Sequence, residues 1–458
     1  MPRKVVVVGS GAAGMTAASN ARKQNPEAEI SVFTEDEHFA YSPCAIPYVI
    51  EGKIRDFESI IMHDLAFYKK ERNIDIHTRT KVAGADLAKK SITLADGATH
   101  HYDSLVVATG SNVLIPPVQG ADLKGVFTVR NINDGMIVRD ALKVASCVVI
   151  AGASVVGLEV AIAARRLGKK VTVIDLASDV IPRLLDGDMA ALVRRYCESI
   201  GMEFVMSSPI QALTGTGTVT GIRARDQEFP CQVVILATGV RANLELPMQM
   251  GLEIGALGGV RVSDTLQPYV KGRLVKDVYV AGDVIQCQSA VATGPTMSQL
   301  GSSATRQGRV AGINAAGGYA TYPRTPGAWV SCMGDIQVGG TGLSRALAEY
   351  YGIKVVEEQA EGLTRARYFP GGLPITVKLV ADAATHRLVG SQIVGGEGVT
   401  GRINWLTAAI MKDVTVEEFV RSFENAYCPA TTTVEDVVNT AADRLAQKVT
   451  CKDKTLGR

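Results

Sequence analysis

One cysteine, Cys44, lies in an aromatic and proline-rich stretch, EHFAYSPCAIPYVIEG, that spans residues 37–52. No second cysteine occurs within a dozen residues on either side. A cysteine can be buried as a structural thiol, form half of a distant disulfide, or act as a nucleophile once it is deprotonated. The local sequence leaves these three roles open, so the rest of the chain has to decide between them.

The other cysteines are scattered along the chain. No pair has CxxC spacing and the six histidines form no cluster with metal-ligand spacing, so we expect no metal site and no thioredoxin-type site. A disulfide scaffold is not expected in a reducing compartment, so a functional cysteine is expected to be catalytic. The eight cysteines are Cys44, Cys147, Cys197, Cys231, Cys287, Cys332, Cys428 and Cys451.

The composition is that of a globular protein. The 458 residues are 47% hydrophobic and 21% charged, with a formal net charge of +2. This length allows about three domains, and the small net charge gives no basic field for nucleic acid or anionic membranes. Neither a signal peptide nor an apolar run of membrane-spanning length is present. We therefore expect a cytoplasmic protein with no nucleic-acid partner and no membrane partner.

The first residues predict a dinucleotide-binding unit. The segment KVVVVGSGAAGMTAASNA predicts a buried strand, a tight turn and a helix whose first N–H groups face a pyrophosphate. In GxGxxG the first glycine allows the turn, the second admits the phosphates, and the third lets helix and strand pack closely. The next strand, EISVFTED, is expected to end with Glu35, a candidate for a ribose hydroxyl. The expected phosphate-binding residues are Gly9, Gly11, Ala12, Ala13 and Gly14.

The same pattern recurs at residues 147–175, with Ser154 at the second glycine position. Asp175 is expected to end the following strand, where a carboxylate accepts a ribose 2′-hydroxyl and repels a 2′-phosphate. This favours NADH, although Lys169 and Lys170 precede the strand and leave NADPH possible. The expected loop residues are Gly152, Ser154, Val155 and Gly157.

Three further apolar segments predict the strands that close these units. Two of them, LVVATGS (105–111) and VVILATGV (233–240), end on ATG, and VKDVYVAGDVIQ (275–286) ends on Gly-Asp. An aspartate at a strand's carboxyl end can hydrogen-bond a cofactor polyol. The residues that these segments contribute are Ala108, Thr109, Gly110, Gly239, Gly282 and Asp283.

These motifs, in this order, resemble the pyridine nucleotide–disulfide oxidoreductase superfamily over nearly the whole chain. The resemblance implies an α/β fold with FAD in the first Rossmann-like domain, NAD(P)H in the second, and a C-terminal α+β domain that forms a homodimer. It also assigns Val82 to the cofactor-binding residues. One departure is that Thr34 occupies the usual place of the ribose acid. The implied boundaries are residues 1–115 and 246–325 for the FAD domain, 116–245 for the NAD(P)H domain and 326–458 for the dimerisation domain.

The resemblance also gives Cys44 a role. Val49 stands where the CxxxxC members have their second cysteine, so YSPCAIPYVIEG looks like the single-cysteine branch. That branch includes coenzyme A disulfide reductases, NADH oxidases, NADH peroxidases and persulfide reductases. It places Cys44 over the flavin as a redox sulfur, and we expect a helix terminus or positive groups to lower its pKa.

The C-terminal part predicts two antiparallel strands within 375–396 and one amphipathic helix over 402–420. By resemblance the last segment lies beside the partner subunit's flavin. Tyr427 would then hydrogen-bond a substrate sulfur or hydroperoxide. Cys428 either faces Cys44 of the partner subunit or merely fills space, and both alternatives stay open.

Other polar residues complete the expected site. Glu159 either positions the nicotinamide or is an ordinary acid near a helix start. The resemblance lines a coenzyme A channel with the first helix, and basic groups there suit its phosphates, although a solvated helix face would look the same. The expected substrate residues are Thr16, Asn20, Arg22, Lys23, Ser42 and Arg72.

Three functions remain possible. The first is NAD(P)H-dependent, FAD-mediated reduction of coenzyme A disulfide, its persulfide or polysulfide, or a related small disulfide. The second is an NADH oxidase or peroxidase that uses a Cys44 sulfenate with O2 or peroxide. The third is a flavoprotein subunit of a larger NAD-linked complex.

Overall fold

The computed structural model describes residues 1–455 and the side chains of residues 1–450, so the side chain of Cys451 lies outside it. The first part of the chain contains β1 (Lys4–Val8), α1 (Ala12–Gln24), β2 (Glu29–Phe33), α2 (Ile46–Glu51), α3 (Leu65–Glu71), β3 (Ile74–His77), β4 (Val82–Asp86), β5 (Ser91–Leu94), β6 (Thr99–His101), β7 (Ser104–Val107) and β8 (Ser111–Val113). A short 3₁₀ turn at Pro43–Ala45 precedes α2, and a second at Glu58–Ile60 lies between α2 and α3.

The middle part contains β9 (Val126–Phe127), α4 (Ile132–Val144), β10 (Cys147–Ala151), α5 (Val155–Arg166), β11 (Lys170–Ile174), α6 (Gly187–Ser199), β12 (Glu203–Val205), β13 (Ile210–Thr216), β14 (Thr218–Ala224), β15 (Gln227–Pro230), β16 (Val233–Leu236), β17 (Val240–Ala242) and α7 (Glu245–Gln249). The last part contains β18 (Val260–Arg261), β19 (Tyr269–Val270), β20 (Arg273–Leu274), β21 (Val278–Val280), β22 (Ile285–Gln288), β23 (Pro295–Thr296), α8 (Gly301–Ala315), β24 (Trp329–Met333), β25 (Ile336–Gly342), α9 (Arg345–Tyr350), β26 (Val355–Leu363), β27 (Pro374–Asp382), β28 (Leu388–Gly395), α10 (Val399–Met411), α11 (Val416–Ser422) and α12 (Val437–Thr455).

Two parallel sheets carry the nucleotide-binding patterns. The first has the strand order β21-β7-β1-β2-β3, and the second has the order β12-β11-β10-β16-β9. In each, the strand before the glycine loop lies at the centre and pairs in parallel with both neighbours. Strands buried on both faces read as continuous Val and Ile runs, which is why β1 and β10 could be recognised from sequence. The predicted pair of Rossmann-like domains is confirmed.

The C-terminal part forms an antiparallel sheet with the order β24-β25-β28-β27-β26, covered by α10, α11 and α12. The predicted pair of strands within 375–396 is confirmed as β27 and β28. The single helix predicted over 402–420 is wrong, because α10 ends at Met411 and α11 begins at Val416. Asp413 between them has a φ of 56°, and the Thr415 side chain caps α11, so the chain turns there.

Three distant parts of the chain pack together beside the segment that carries Cys44. One core cluster includes Ile46 of α2, Leu158 of α5 and Trp329 of β24. At its edge the Arg166 guanidinium donates to Glu51 at 2.7 Å and to Asp335 at 2.6 Å. The helix that follows Cys44 is therefore held in one core with α5 and β24.

Within residues 1–455 no helix has the length and apolar character needed to cross a membrane.

Candidate active site

The first glycine loop has an open side that fits a pyrophosphate. Gly9 has a φ of 106°, and a Cβ there would lie 2.2 Å from the Ala108 carbonyl oxygen. A Cβ on Gly14 would lie 1.9 Å from the Gly9 carbonyl oxygen, so both positions require glycine. A Cβ on Gly11 would meet nothing within 4 Å, so this side of the loop is open. No side chain caps α1, which leaves its first N–H groups, including those of Ala12 and Ala13, directed at the same space.

The predicted Gly282-Asp283 pair follows β21 and is held by buried hydrogen bonds. The side-chain oxygen of Gln307, which is fully buried, accepts the Gly282 N–H at 2.7 Å. The Asp283 carboxylate accepts the Ser111 hydroxyl at 2.8 Å and the Arg130 guanidinium at 3.3 Å. Sequence reasoning found the aspartate but missed Gln307 and Arg130, which lie far away along the chain.

The segment after β7 lies against the first glycine loop, because the Ala108 N–H donates to the Val8 carbonyl at 2.8 Å. The Thr109 hydroxyl donates to the Asn243 carbonyl at 2.9 Å, and the Asn243 N–H donates to the Gly110 carbonyl at 2.9 Å. These bonds tie the first ATG segment to the residue that follows β17. Two further predicted cofactor residues lie apart from these bonds. Gly239 has a φ of 116° and open space around it, and Val82 is buried at the start of β4.

The expectation that β2 extends to Glu35 is wrong, since the strand ends at Phe33. Thr34 directly follows β2 in the first unit, as Asp175 directly follows β11 in the second unit. Its buried hydroxyl accepts the Ser10 hydroxyl at 3.0 Å, whereas Glu35 is exposed one residue further on.

In the second unit Ser154 replaces the middle glycine by acting as a helix cap. Its hydroxyl accepts the Gly157 N–H at 3.2 Å and donates to the Ala237 carbonyl at 2.9 Å. This is the usual role of serine immediately before a helix, and α5 begins at Val155. A Cβ on Gly157 would lie 2.2 Å from the Gly152 carbonyl oxygen, so helix and loop pack as closely as in the first unit.

The Asp175 carboxylate lies directly beside this loop. It accepts the Ala153 N–H at 2.6 Å and the Ala177 N–H at 2.7 Å, which fixes its position. Lys170, one of the two lysines that left NADPH possible, forms an ion pair with Glu203 at 3.2 Å.

Cys44 lies in the 3₁₀ turn that leads into α2, with prolines in the first turn of both elements. It is a free thiol and is exposed. Partial burial is nevertheless the main cause of a raised pKa of its thiol, which Glu159 and Asp283 raise further and Arg130 lowers. The expectation that the chain lowers this pKa is therefore wrong for the protein alone. A stable thiolate needs a further positive or hydrogen-bonding group.

Glu159 lies half-buried between α5 and β24. Burial raises its pKa to about 7, against the effect of the Ser331 hydroxyl, which donates to the carboxylate at 2.6 Å. Tyr48 lies nearby and its hydroxyl is hydrogen-bonded to Cys332; burial and then Glu159 raise the pKa of Tyr48. Sequence reasoning missed Ser331, Tyr48 and Cys332, because nothing in the sequence connects β24 with α5.

Tyr427 and Cys428 lie in the loop between α11 and α12. The Tyr427 and Tyr368 hydroxyls are hydrogen-bonded at 2.6 Å, and this bond is the main cause of a raised Tyr427 pKa. Both tyrosines are exposed, and Cys428 is an exposed free thiol. Cys44 is also free, so one chain does not join these two cysteines as a disulfide. Tyr368 was missed because it lies in an irregular segment without a motif.

Some predicted substrate residues are engaged elsewhere. The Arg22 guanidinium donates to the carbonyls of Arg72 at 3.0 Å, Asn73 at 2.6 Å and Pro26, so it holds a turn and is not free for a phosphate. The Asn20 amide donates to the Thr16 carbonyl at 2.9 Å within α1. Lys23 and Ser42 are exposed.

Arg72, which directly follows α3, belongs to a stack of planar groups that the sequence analysis did not foresee. The rings of His63 and Phe67 are stacked with their centres 3.8 Å apart, and the Arg72 guanidinium lies 5.5 Å from the Phe67 ring centre. The segment before this stack runs along the Cys44 loop, since Tyr41 pairs with Ile61.

Two regions of the chain match known family models. Residues 3–308 match "Pyridine nucleotide-disulphide oxidoreductase", and residues 330–438 match "Pyridine nucleotide-disulphide oxidoreductase, dimerisation domain". The chain belongs to the pyridine nucleotide-disulphide oxidoreductase family. The resemblance seen in the sequence is thereby confirmed.

Several family members are similar over most of their length. An NADH oxidase of Methanocaldococcus jannaschii is 39% identical, with 98% of this chain and 100% of that protein covered. A CoA-dependent NAD(P)H sulfur oxidoreductase of Pyrococcus abyssi is 32% identical, over 91% of this chain and 92% of that protein. A solved NAD-dependent persulfide reductase of A. fulgidus has a TM-score of 0.93 at 29% identity, over 97% of this chain and 83% of the other.

This family binds FAD and NAD(P)H, and the residues present fit both. Two loops require glycine at close contacts, each leads into a helix N-terminus, and each lies at the carboxyl edge of a parallel sheet, where open α/β sheets bind ligands. The protein is accordingly an NAD(P)H-dependent oxidoreductase whose C-terminal part is of the dimerisation type.

The raised pKa of Cys44 predicts slow alkylation in FAD-free protein near neutral pH. Only the thiolate reacts, so the iodoacetamide rate at Cys44 should rise about tenfold for each pH unit below the thiol pKa. Arg130→Met should slow labelling further, since Arg130 lowers this pKa. The labelled Cys44 peptide is quantified by mass spectrometry, with the exposed Cys332 and Cys428 as internal controls. A rate that is fast and flat between pH 6 and 8 contradicts the raised pKa.

Proposed function

We propose that this protein is an FAD-dependent NADH oxidoreductase that reduces coenzyme A disulfide, coenzyme A persulfide or polysulfide, or a related small disulfide through Cys44. The supporting observation is the stack of His63, Phe67 and Arg72 beside the loop that carries Cys44. A flat aromatic and cationic surface suits a nucleotide, because bases stack on aromatic rings and arginine attracts phosphate.

The chemistry at Cys44 is thiol–disulfide exchange. The Cys44 thiolate attacks one sulfur of the substrate, a mixed disulfide forms, and one thiolate leaves and takes up a proton. Two electrons from NADH then break the mixed disulfide, which restores the Cys44 thiolate and releases the second thiol. FAD, when bound, would accept hydride from NADH and pass its electrons to sulfur. Overall one disulfide, NADH and one proton give two thiols and NAD⁺.

Each part of the site has a proposed task in this reaction. The glycine loops at Gly9–Gly14 and Gly152–Gly157 bind the two pyrophosphates, and Gly282-Asp283 contacts the FAD polyol. Glu159 orients the nicotinamide, with Ser331 holding its carboxylate. Because its pKa is raised to about 7, Glu159 is largely neutral below neutral pH and adds little negative charge beside Cys44 there.

NADH is the proposed electron donor. The fixed Asp175 carboxylate would accept a ribose hydroxyl and repel a 2′-phosphate. Lys170 is paired with Glu203 and does not offset that repulsion.

A homodimer is the proposed assembly. The Tyr368–Tyr427 pair and Cys428 are exposed in the single chain, on the part that matches the dimerisation domain. In such a dimer they would cover the substrate near Cys44 of the partner subunit, where a tyrosine hydroxyl can donate to a leaving sulfur.

Oxidation by O2 is the second candidate, because the M. jannaschii relative is called an NADH oxidase. In that reaction the electrons of one NADH would reduce O2 to peroxide, and one peroxide oxygen would pass to the Cys44 thiolate, which gives a sulfenate and releases water. The electrons of a second NADH would return the sulfenate to the thiolate and release a second water.

The acceptor can be identified by reducing the protein with NADH and following the flavin spectrum as acceptors are added. Coenzyme A disulfide and polysulfide are expected to reoxidise it rapidly, and O2 or peroxide slowly. Cys44→Ser should abolish disulfide turnover, a loss of 10³-fold or more, because the nucleophile is missing, roughly as for other catalytic nucleophiles.

Three results would count against this proposal. Turnover that survives Cys44→Ser removes Cys44 from the mechanism. Rapid reoxidation by O2 alone supports the oxidase, and reoxidation by no acceptor supports the subunit of a larger complex. Reduction of the flavin by NADH is the internal control and should be unchanged in Cys44→Ser.

Recognition of the nucleotide is tested by His63→Leu, which removes the exposed ring of the stack, since the Phe67 ring is already covered by His63 and contacts Arg72. Loss of base stacking worth about 1–3 kcal/mol should raise the KM for coenzyme A disulfide about 5- to 150-fold. The disulfide of pantetheine has the same thiol arm without the nucleotide, so its KM should stay within twofold. An equal effect on both substrates would argue against a nucleotide on this surface.

The choice of donor is tested by Asp175→Asn, which removes the charge but keeps an acceptor oxygen. Relief of like-charge repulsion should raise kcat/KM for NADPH relative to NADH by about tenfold or more. Asp179→Asn is the matched control, since Asp179 lies in the same segment but forms an ion pair with Arg194 at 3.1 Å. An unchanged NADPH to NADH ratio in Asp175→Asn would exclude the proposed contact.

A further inference from the structure

The loop that carries Tyr427 has no helix or strand of its own. It runs over residues 423–436, between α11 and α12, and Tyr427 itself is exposed. An exposed tyrosine on an irregular loop keeps a defined position only if other bonds fix the loop.

One buried ion pair fixes the end of this loop. The Arg402 guanidinium of α10 donates to both carboxylate oxygens of Asp436, through Nε at 3.0 Å to each oxygen and through Nη2 at 2.6 Å. The side chains are only 8% and 6% exposed. The remaining acceptor capacity of Asp436 is used by the Thr432 hydroxyl at 3.0 Å and the Val438 N–H at 3.0 Å.

The same residue reaches back to the start of the loop. The Asp436 N–H donates to the Asn425 side-chain oxygen at 3.2 Å, and the Asn439 amide donates to it at 3.1 Å. Asn425 and Asp436 therefore close the loop at its base, with Tyr427 two residues beyond Asn425.

The tip of the loop is tied to the segment that carries Tyr368. The Ala366 N–H donates to the Pro429 carbonyl at 3.2 Å, and Arg365 holds Glu397 at 2.6 and 3.0 Å. The Tyr368–Tyr427 hydroxyl pair is thus the meeting point of two irregular segments. Each segment is held by an arginine–carboxylate pair at its base.

A buried ion pair gives little net stability, because the cost of removing both charges from water offsets their attraction. Its geometry, however, allows only one arrangement of the two partners, since the guanidinium fork matches a carboxylate plane. The network of Arg402 therefore determines where the loop lies more than how stable the domain is.

We infer that Arg402 is a positioning residue for the reduction of the disulfide, acting through Asp436 to hold the Tyr427 hydroxyl at the substrate. This rests on the proposed function, which places Tyr427 against the substrate. NADH oxidation by the flavin uses other elements, the two glycine loops and Glu159, so it should not depend on Arg402.

The test uses the doubly substituted protein Arg402→Met/Asp436→Leu, which removes both charges and leaves no unpaired charge in the core. The holoenzyme should reduce coenzyme A disulfide with kcat/KM lowered about tenfold or more, while flavin reduction by NADH changes less than twofold. Amide hydrogen exchange in residues 423–436 should become faster. Arg402→Lys, which keeps the charge but not the fork, should recover part of the lost activity.

Lys378→Met is the matched control for lost stability. Lys378 is a buried cation of the same part of the chain, 3% exposed and bound to Asp186 and Asp188, and it lies outside the loop network. It should lower the thermal midpoint without the selective loss of disulfide turnover.

A double-mutant cycle with Tyr427→Phe distinguishes the positioning role of Arg402 from the proposed role of Tyr427 at the substrate. If Arg402 acts through Tyr427, the paired substitution should cost less than twofold once Tyr427 is phenylalanine. If the losses from Arg402→Met/Asp436→Leu and from Tyr427→Phe are additive, the inference about Arg402 is wrong. It is also wrong if Tyr427→Phe lowers disulfide turnover and the paired substitution leaves it unchanged. Neither result affects the proposed function. A Tyr427→Phe enzyme with full disulfide turnover would overturn the inference together with the proposed role of Tyr427, while loss of turnover in Cys44→Ser would still support Cys44.

Discussion

Cys44 depends on the packing of three parts of the chain that are distant in sequence. Its turn leads into α2, which rests on α5 of the second Rossmann-like domain and on β24 of the C-terminal sheet. At the edge of this junction the Arg166 guanidinium bonds both Glu51 and Asp335, so one side chain links all three elements. Glu159 and Ser331 meet at the same junction, which is why a residue of the C-terminal sheet controls a carboxylate of the nicotinamide-type unit.

This junction also explains the electrostatics of the site. Burial and two carboxylates make the Cys44 thiolate costly in the protein alone, and burial favours the neutral form of Glu159 as well. Arg130 acts in the opposite sense, as the cation that lowers the pKa of Cys44. A nucleophile of this kind becomes reactive when a bound group adds compensation, so thiol reactivity follows cofactor binding in the proposed mechanism.

The sequence was informative where a local pattern determines a local structure. The glycine loops, the valine-rich strands and the single cysteine could be read directly, because close contacts of Gly9 and Gly14 and double burial of β1 restrict which residues can occur there. Contacts made across the fold could not be read. The Arg22 guanidinium looks like a phosphate ligand in sequence, but three backbone carbonyls from other segments occupy it.

The lack of a second local cysteine has a structural consequence. With Val49 in place of a resolving thiol, Cys44 cannot close an internal disulfide in its own turn, so the leaving sulfur has to be stabilised by groups that come from elsewhere. In the proposed mechanism the Tyr368–Tyr427 pair would supply the hydroxyl donors, but it belongs to two segments without helix or strand. A single-cysteine site therefore moves the demand for precise geometry from the cysteine turn to the C-terminal loops. The buried bonds of Arg402 and Asp436 meet that demand with a fixed orientation more than with stability.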